Sequence, residues 1–210
     1  DSDDIWLSNK LEEQVMIMSD YRIDFCYSNF FQINKFSKKI FPPKAFYLNL
    51  PSGKIYKDLL KRYQVGILTL CLRKRSLIRH EISFDPNYSI IGDMVFVLEL
   101  SKVANGFASQ NCLACYRTHE DNLSKKKILM QVVEMRNWFN KLKKEKKWNK
   151  SLFKSLENLT NYQRAKGLIS RMNIFQTFKM ILKIKDMKLI LRLIIHFFIF
   201  NFFKVFMFEK

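Results

Sequence analysis

Three carboxylates crowd into the first four residues, Asp1, Asp3 and Asp4, and the apolar triplet Ile5-Trp6-Leu7 follows at once. Carboxylates packed this densely repel one another unless water or a cation sits among them. Hard divalent ions such as Mg2+ or Mn2+ take oxygen ligands, and they often bridge one or two carboxylates to a substrate diphosphate. An Asp-x-Asp at a strand end is therefore a candidate metal–diphosphate site, with Asp1 and Asp3 as its ligands. A solvated, frayed terminus is the plain alternative.

The rest of the chain has the means to build a core. It is 210 residues long and 48% hydrophobic, with 20 phenylalanines. Five glycines and four prolines exclude collagenous or low-complexity architectures. The formal net charge of +18 favours polyanionic partners: nucleic acid, an anionic membrane surface or phosphorylated ligands. That charge is uneven. The first thirty residues are acidic or neutral, whereas lysines gather in Lys125–Lys127 and Lys141–Lys154 and recur to the C-terminus. No zinc finger, Gly-rich clamp or basic-aromatic strand signature accompanies it, so a nucleic-acid partner is not expected. Cys26, Cys71, Cys112 and Cys115 are too scattered for a disulfide scaffold. Cys112-x-x-Cys115 has no second pair to complete a zinc site and lies in an apparent strand, so inert buried thiols are expected.

Periodicity suggests mixed strands and helices. Asn9 can cap a helix with Glu12 as its capping-box partner, and Leu11, Val15 and Met18 share one face of it. Tyr21–Phe31 suits a strand, Pro42-Pro43 marks a loop, and Ile55–Tyr63 suits a short helix. Val65–Leu72 is a continuous apolar run fit for a buried strand, and Arg73–His80 a basic helix or turn. Phe84-Asp85-Pro86 is a turn, Met94–Lys102 an apolar helix and Gly106–Tyr116 a strand. From Ser124 onward Ile128, Val132, Met135 and Trp138 form a helical stripe, followed by a charged linker near Lys143–Ser151.

The stretch from Asp1 to Gln14 resembles the Asp-x-Asp region of family 2 glycosyltransferases, where a "Trp-x-x-x-Lys-Leu-Glu-x-Gln" helix follows the acidic motif. Phe84-Asp85-Pro86 through Gly92-Asp93 is similar to the family's "Phe-Asp-x-x-(…)-Glu-Asp" stretch, and Tyr116-Arg117-Thr118-His119 to its "Tyr-Arg-x-His" ending. The resemblance implies an α/β fold, the C-terminal half of a GT-A (nucleotide-diphospho-sugar transferase) domain that the chain enters midway. Asp93 would be the catalytic base. Asp1, Asp3 and Arg117 would meet the donor diphosphate, with His119 on the metal or the phosphates. Gly66 and Thr69, in a run like the strand before the family's acceptor site, and Gly92 would lie on the acceptor side. Two departures leave Asp93 as the sole acid there: Gly92 stands in place of the usual Glu, and Val95 in place of a further acid.

The activity so implied is an inverting, metal-dependent transfer from a nucleotide-diphosphate sugar, first of all a UDP-sugar, to a saccharide or lipid-linked acceptor in cell-surface polysaccharide or glycan synthesis. A processive "Gln-x-x-Arg-Trp" signature is missing, so single addition is expected. The alternative is a non-catalytic membrane-associated or nucleic-acid-binding basic protein. Three regions are expected: residues 1–124 as the catalytic portion, 125–150 as a basic amphipathic helix and linker, and 151–210 as a helical tail. In the tail, 185–208 combines Phe and Ile with Lys185, Lys188, Arg192 and Lys204. Such a segment suits the interface of an anionic membrane on the cytoplasmic side, with a helix packed on protein and a true membrane span as the other readings. These residues alone, with half a sheet missing, are expected to be poorly soluble and inactive.

Overall fold

In a computed structural model, which describes residues 2–39, 49–119, 121–144 and 174–195 with Lys154, Glu157, Asn158, Asn161, Tyr162, Ala165 and Ile169, the chain divides into two compact units, Asp1–Lys126 and Lys127–Lys210. The first unit is mixed α/β. It runs β1 (Ile5–Trp6), α1 (Lys10–Met18), β2 (Phe25–Asn34), α2 (Tyr56–Lys61), a 3-10 turn at Ile67–Thr69, β3 (Cys71–Leu72), α3 (Lys74–Arg79), α4 (Gly92–Val103), β4 (Gly106–Thr118) and α5 (Leu123–Lys126).

The sheet order is β1-β4-β2-β3. The central pair, β2 and β4, is parallel, and both outer pairs are antiparallel. Parallel pairing demands a long crossover, and α2, α3 and α4 lie along it. Phe25, Cys26 and Tyr27 of β2, Leu113 and Ala114 of β4, Val95 to Leu98 and Leu100 of α4, and Leu59 and Leu60 of α2 are buried together with Ile55. Full burial of each large apolar side chain contributes about 1.5–3 kcal/mol. At the start of β4 the backbone must pass close over the Phe25 ring. A Cβ on Gly106 would meet Phe25 Cζ at 2.5 Å, which explains glycine there.

The β2–β4 register slips after Ser28↔Ser109, so that Asn29 pairs with Cys112 and Phe30 with Ala114. Buried Asn29 bridges this irregularity by donating from Nδ2 to the Gln110 carbonyl at 3.0 Å. Gln110 in turn grips the Leu50 backbone, accepting its N–H at 2.9 Å and donating to its carbonyl at 3.0 Å.

Several expectations are corrected. Val65–Leu72 is not one strand: it breaks into the 3-10 turn and the two-residue β3. There, Gly66 carbonyl accepts both the Thr69 N–H and the Thr69 hydroxyl, closing the turn locally. The second strand begins at Phe25, not Tyr21, which sits exposed in a turn closed by Asp20 and Arg22. Asn9 occupies the N-cap of α1 but makes no side-chain capping bond. The apolar stripe of α1 also faces the wrong way for a core: Leu11 and Val15 are exposed, and the buried positions are Lys10 and Gln14. Pro42 and Pro43 lie outside the described residues.

The second unit contains α6 (Ile128–Lys144), α7 (Ile174–Ile181) and a helical run at 187–195. In α6 the expected stripe is inward in part: Met135 and Trp138 are buried, joined by Phe139 and Leu142, while Ile128 and Val132 are half-buried; Lys143 and Lys144 still belong to the helix. Asp186 Oδ1 accepts the Lys188 N–H at 2.9 Å and the Leu189 N–H at 3.3 Å, the pattern of an N-cap for the 187–195 run. Leu193 of that run is buried with Ala165, Ile169 and Ile184, while Met187 and Leu191 are exposed. The expected amphipathic segment 185–208 is described only to residue 195. Among the described residues no helix is long and apolar enough to cross a membrane.

Candidate active site beside β1 and β4

The antiparallel register Ile5↔Cys115 and Trp6↔Ala114 makes the residues before Ile5 run alongside those after Cys115. Asp3 and Asp4 therefore meet Arg117 and His119. The Asp3 carboxylate Oδ2 lies 2.7 Å from His119 Nε2. Asp4 Oδ1 accepts the backbone N–H of Arg117 at 2.9 Å, and the Arg117 Nε donates to the Asp3 carbonyl at 2.8 Å. Arg117 also reaches across to the loop after β2, donating from Nη1 to the Asn34 carbonyl at 3.2 Å and to Ser37 Oγ at 3.0 Å. Much of its fork is thus engaged in tying β4 to two other segments.

Asn122 shapes the same corner. Its Oδ1 accepts the His119 N–H at 2.7 Å and its Nδ2 donates to the Arg117 carbonyl at 3.1 Å. The imidazole is oriented from its other side, because the Asp121 N–H donates to Nδ1 at 3.2 Å. With Nδ1 accepting, the neutral ring carries its proton on Nε2 and donates it to Asp3. That hydrogen bond holds the Asp3 carboxyl below the usual carboxylate range. Asp4 behaves oppositely: burial raises it, against the Arg117 N–H bond.

A cation-binding role has one fitting residue here. Mg2+ and Mn2+ at diphosphate sites need only one or two protein carboxylates, the substrate supplying other oxygens, and Asp3 is such a carboxylate. His119 would ligate through Nε2 only in the opposite tautomer, which the Asp121 N–H disfavours. Among the described residues no group of three or more His, Cys, Asp or Glu is gathered as for a self-sufficient metal site. Asp1 lies outside the described residues.

Next to Asp4 an open pocket of about 450 Å³ is lined by Asp4, Trp6, Ile67 and Leu68. Asp93 stands elsewhere, in the first turn of α4, where its Oδ1 accepts the Met94 N–H at 2.7 Å. Burial raises its pKa. Its charge reaches the Tyr63 phenol, which burial and Asp93 together push well above the ordinary tyrosine value. The Tyr63 hydroxyl and the neighbouring Gln64 Oε1 are buried without a hydrogen-bond partner. Thr69 is fully buried and its hydroxyl bonded to the Gly66 carbonyl at 2.7 Å. Gly66 is crowded, since a Cβ would meet the Phe30 ring at 2.6 Å, whereas a Cβ on Gly92 would meet nothing within 4 Å.

The structure thus brings together Asp3, Arg117 and His119 of the expected residues, and sets Asp93 on a separate element with Tyr63. Trp6, Lys10 and Gln14 are fixed positions of the Trp-x-x-x-Lys-Leu-Glu-x-Gln resemblance and Asp4 belongs to the acidic run, but neither they nor Asn122 were given a role in the site from sequence. The periodic pattern of α1 pointed away from Lys10 and Gln14, which are buried while Leu11 and Val15 are exposed.

In sequence the chain is similar to a glycosyltransferase over 80 residues at 39% identity, and no family profile matches it. That relative is the UDP-Glc:alpha-D-GlcNAc-diphosphoundecaprenol beta-1,3-glucosyltransferase WfgD of Escherichia coli. The match covers 37% of this chain and 28% of the relative's length.

Proposed function

We propose that these residues belong to a GT-A glycosyltransferase that moves a sugar from a nucleotide-diphosphate donor, a UDP-sugar, to a lipid-linked saccharide acceptor. The observation that carries this reading is the Asp3–His119 pair, made where the acidic run crosses the end of β4, in a chain similar to a UDP-glucose-dependent transferase. The relative's lipid-diphosphate acceptor and the net charge of +18 support an acceptor at an anionic membrane surface, on its cytoplasmic side. Nucleic acid is not a partner in this reading.

In the mechanism Asp3 faces the donor diphosphate, its carboxylate held ionised and oriented by the His119 Nε2–H. A Mg2+ or Mn2+ bound by Asp3 and the diphosphate would neutralise charge on the departing nucleoside diphosphate. Arg117 keeps Asp3 and the loop after β2 in register with β4, and Asp4 fixes the Arg117 backbone. On the acceptor side a sugar hydroxyl is a poor nucleophile until a carboxylate takes its proton. Asp93 is suited to that, because burial raises its proton affinity. A single in-line displacement inverts the anomeric centre, and one sugar is added per acceptor.

Thermal stability of the full-length protein with a panel of nucleoside diphosphates and their sugars, each with and without Mn2+, tests the reading. Stabilisation that needs both metal and one nucleotide is expected. A well-folded protein that shifts with none of them overturns it.

A further inference from the structure

We propose that Trp6 is a stacking platform for a hexopyranose ring in the pocket beside Asp4. The inference deepens the transferase reading and rests on it for where the sugar comes from. Trp6 is 56% exposed, yet its ring is held in one orientation. The indole N–H donates to the Leu68 carbonyl at 3.0 Å, and Lys10 Nζ lies 4.1 Å from the ring centroid. Lys10 is itself 1% exposed, with its ammonium donating to Gln14 Oε1 at 2.5 Å. Gln14 is buried too and passes the chain on, from Nε2 to the Thr69 carbonyl at 2.6 Å.

A buried ammonium is costly, and this one is set against an indole face and an amide. Burial lowers its pKa accordingly. Two buried polar side chains of α1 and the 66–70 segment thus converge on one half-exposed indole. A tryptophan that merely happened to lie at the surface has no need of that scaffold. With Lys10 over the ring and Leu68 on its N–H, the exposed part of the indole forms one wall of the 450 Å³ pocket.

The wall chemistry matches a sugar ring. A pyranose presents weakly positive C–H groups on a flat face, and the indole face is negative. Its hydroxyls need acceptors at the edge, and Asp4 lines the same pocket. Ile67 and Leu68 close the apolar side. Two sources offer that ring, the glycosyl group of the donor and the terminal sugar of the acceptor. A nucleobase is the competing flat ligand, and the probes below separate all three.

The experiment uses wild type, W6F and W6A full-length protein, with UDP, UDP-glucose and a short-chain α-GlcNAc-diphosphate lipid as probes. The wild-type minus W6F difference in tryptophan emission isolates Trp6 from Trp138 and Trp148. One sugar-bearing probe is expected to quench that difference while UDP does not; which of the two does so names the source. W6A should raise the KM of the same substrate about tenfold, leave inhibition by UDP within about twofold, and be largely rescued in W6F, where a ring is retained. Equal quenching by UDP alone assigns the platform to the base and overturns the inference. Quenching by no probe, or unchanged KM values in a W6A protein with wild-type melting temperature, overturns it as well. Absence of turnover in wild type sinks the transferase reading separately, and the emission difference still decides the stacking.

Discussion

Asp3 and His119 are 116 positions apart in sequence and 2.7 Å apart in space, joined by a hydrogen bond that the β1–β4 register makes possible. Both side chains keep part of their surface in solvent, 35% and 25% respectively. A pair this exposed contributes about 1 kcal/mol or less to stability, so its value lies in orientation. D3N and H119Q are each expected to lower kcat/KM by about a hundredfold, the usual cost of losing one oriented electrostatic group, with little change in melting temperature. Large destabilisation with turnover intact would reassign the pair to structure.

Arg117 tells a different story. Its side chain bonds to the Asp3 and Asn34 carbonyls and to Ser37, so R117K keeps the charge but loses the fork. Unmaking such charge-assisted bonds costs about 1.5–3 kcal/mol. Chemical denaturation of R117K should show a loss of that order, with kcat/KM falling alongside because Asp3 is no longer tethered. An unchanged denaturation midpoint contradicts the strapping role.

Asp93 couples function to pH. Its folded-state pKa is raised from 3.8, first by burial. A group raised in the folded state contributes stability below its unfolded pKa, and that contribution is lost as pH rises through the folded value. At neutral pH the ionised Asp93 therefore destabilises the fold. D93N is expected to abolish turnover while raising stability by about 0.5–2 kcal/mol. In wild type the acid limb of kcat/KM should lie above 3.8. Turnover retained in D93N removes Asp93 from the base role.

Gly66 is a packing position. A Cβ there would lie 2.6 Å from Phe30 Cε1 and 2.9 Å from Leu68 Cδ2. G66A is expected to cost about 1–3 kcal/mol from overpacking and to shift Leu68, whose carbonyl anchors Trp6. Urea titration against wild type measures the first effect, and Trp6 emission the second. A wild-type midpoint would mean that Phe30 yields freely.

Local pattern alone foretold several elements, in both units. The apolar runs around Met94–Lys102 and Gly106–Tyr116 became α4 and β4, and the Ile128–Trp138 stripe turned inward in part in α6, because their neighbours in sequence are also their neighbours in the element. The Val65–Leu72 run misled, since a buried apolar segment bonds where the backbone geometry allows; Gly66 and Thr69 close a turn instead of extending a strand.

From sequence by itself came the residue types: a dense acidic run before an apolar triplet, an Arg and a His at the end of a strand-like stretch, and an Asp opening a helix. Their partners came only from the tertiary structure. Pairing Ile5 with Cys115 decided that Asp3 meets His119, and the slip between β2 and β4 at Asn29 set how the rest of β4 aligns with β2. Burial of Lys10 and Gln14 with Leu11 and Val15 exposed ran against helical periodicity, because those two polar groups bond to each other and to Thr69 in the interior. The bond from Gln14 to the Thr69 carbonyl joins positions 55 apart, and no short window along the chain contains both ends.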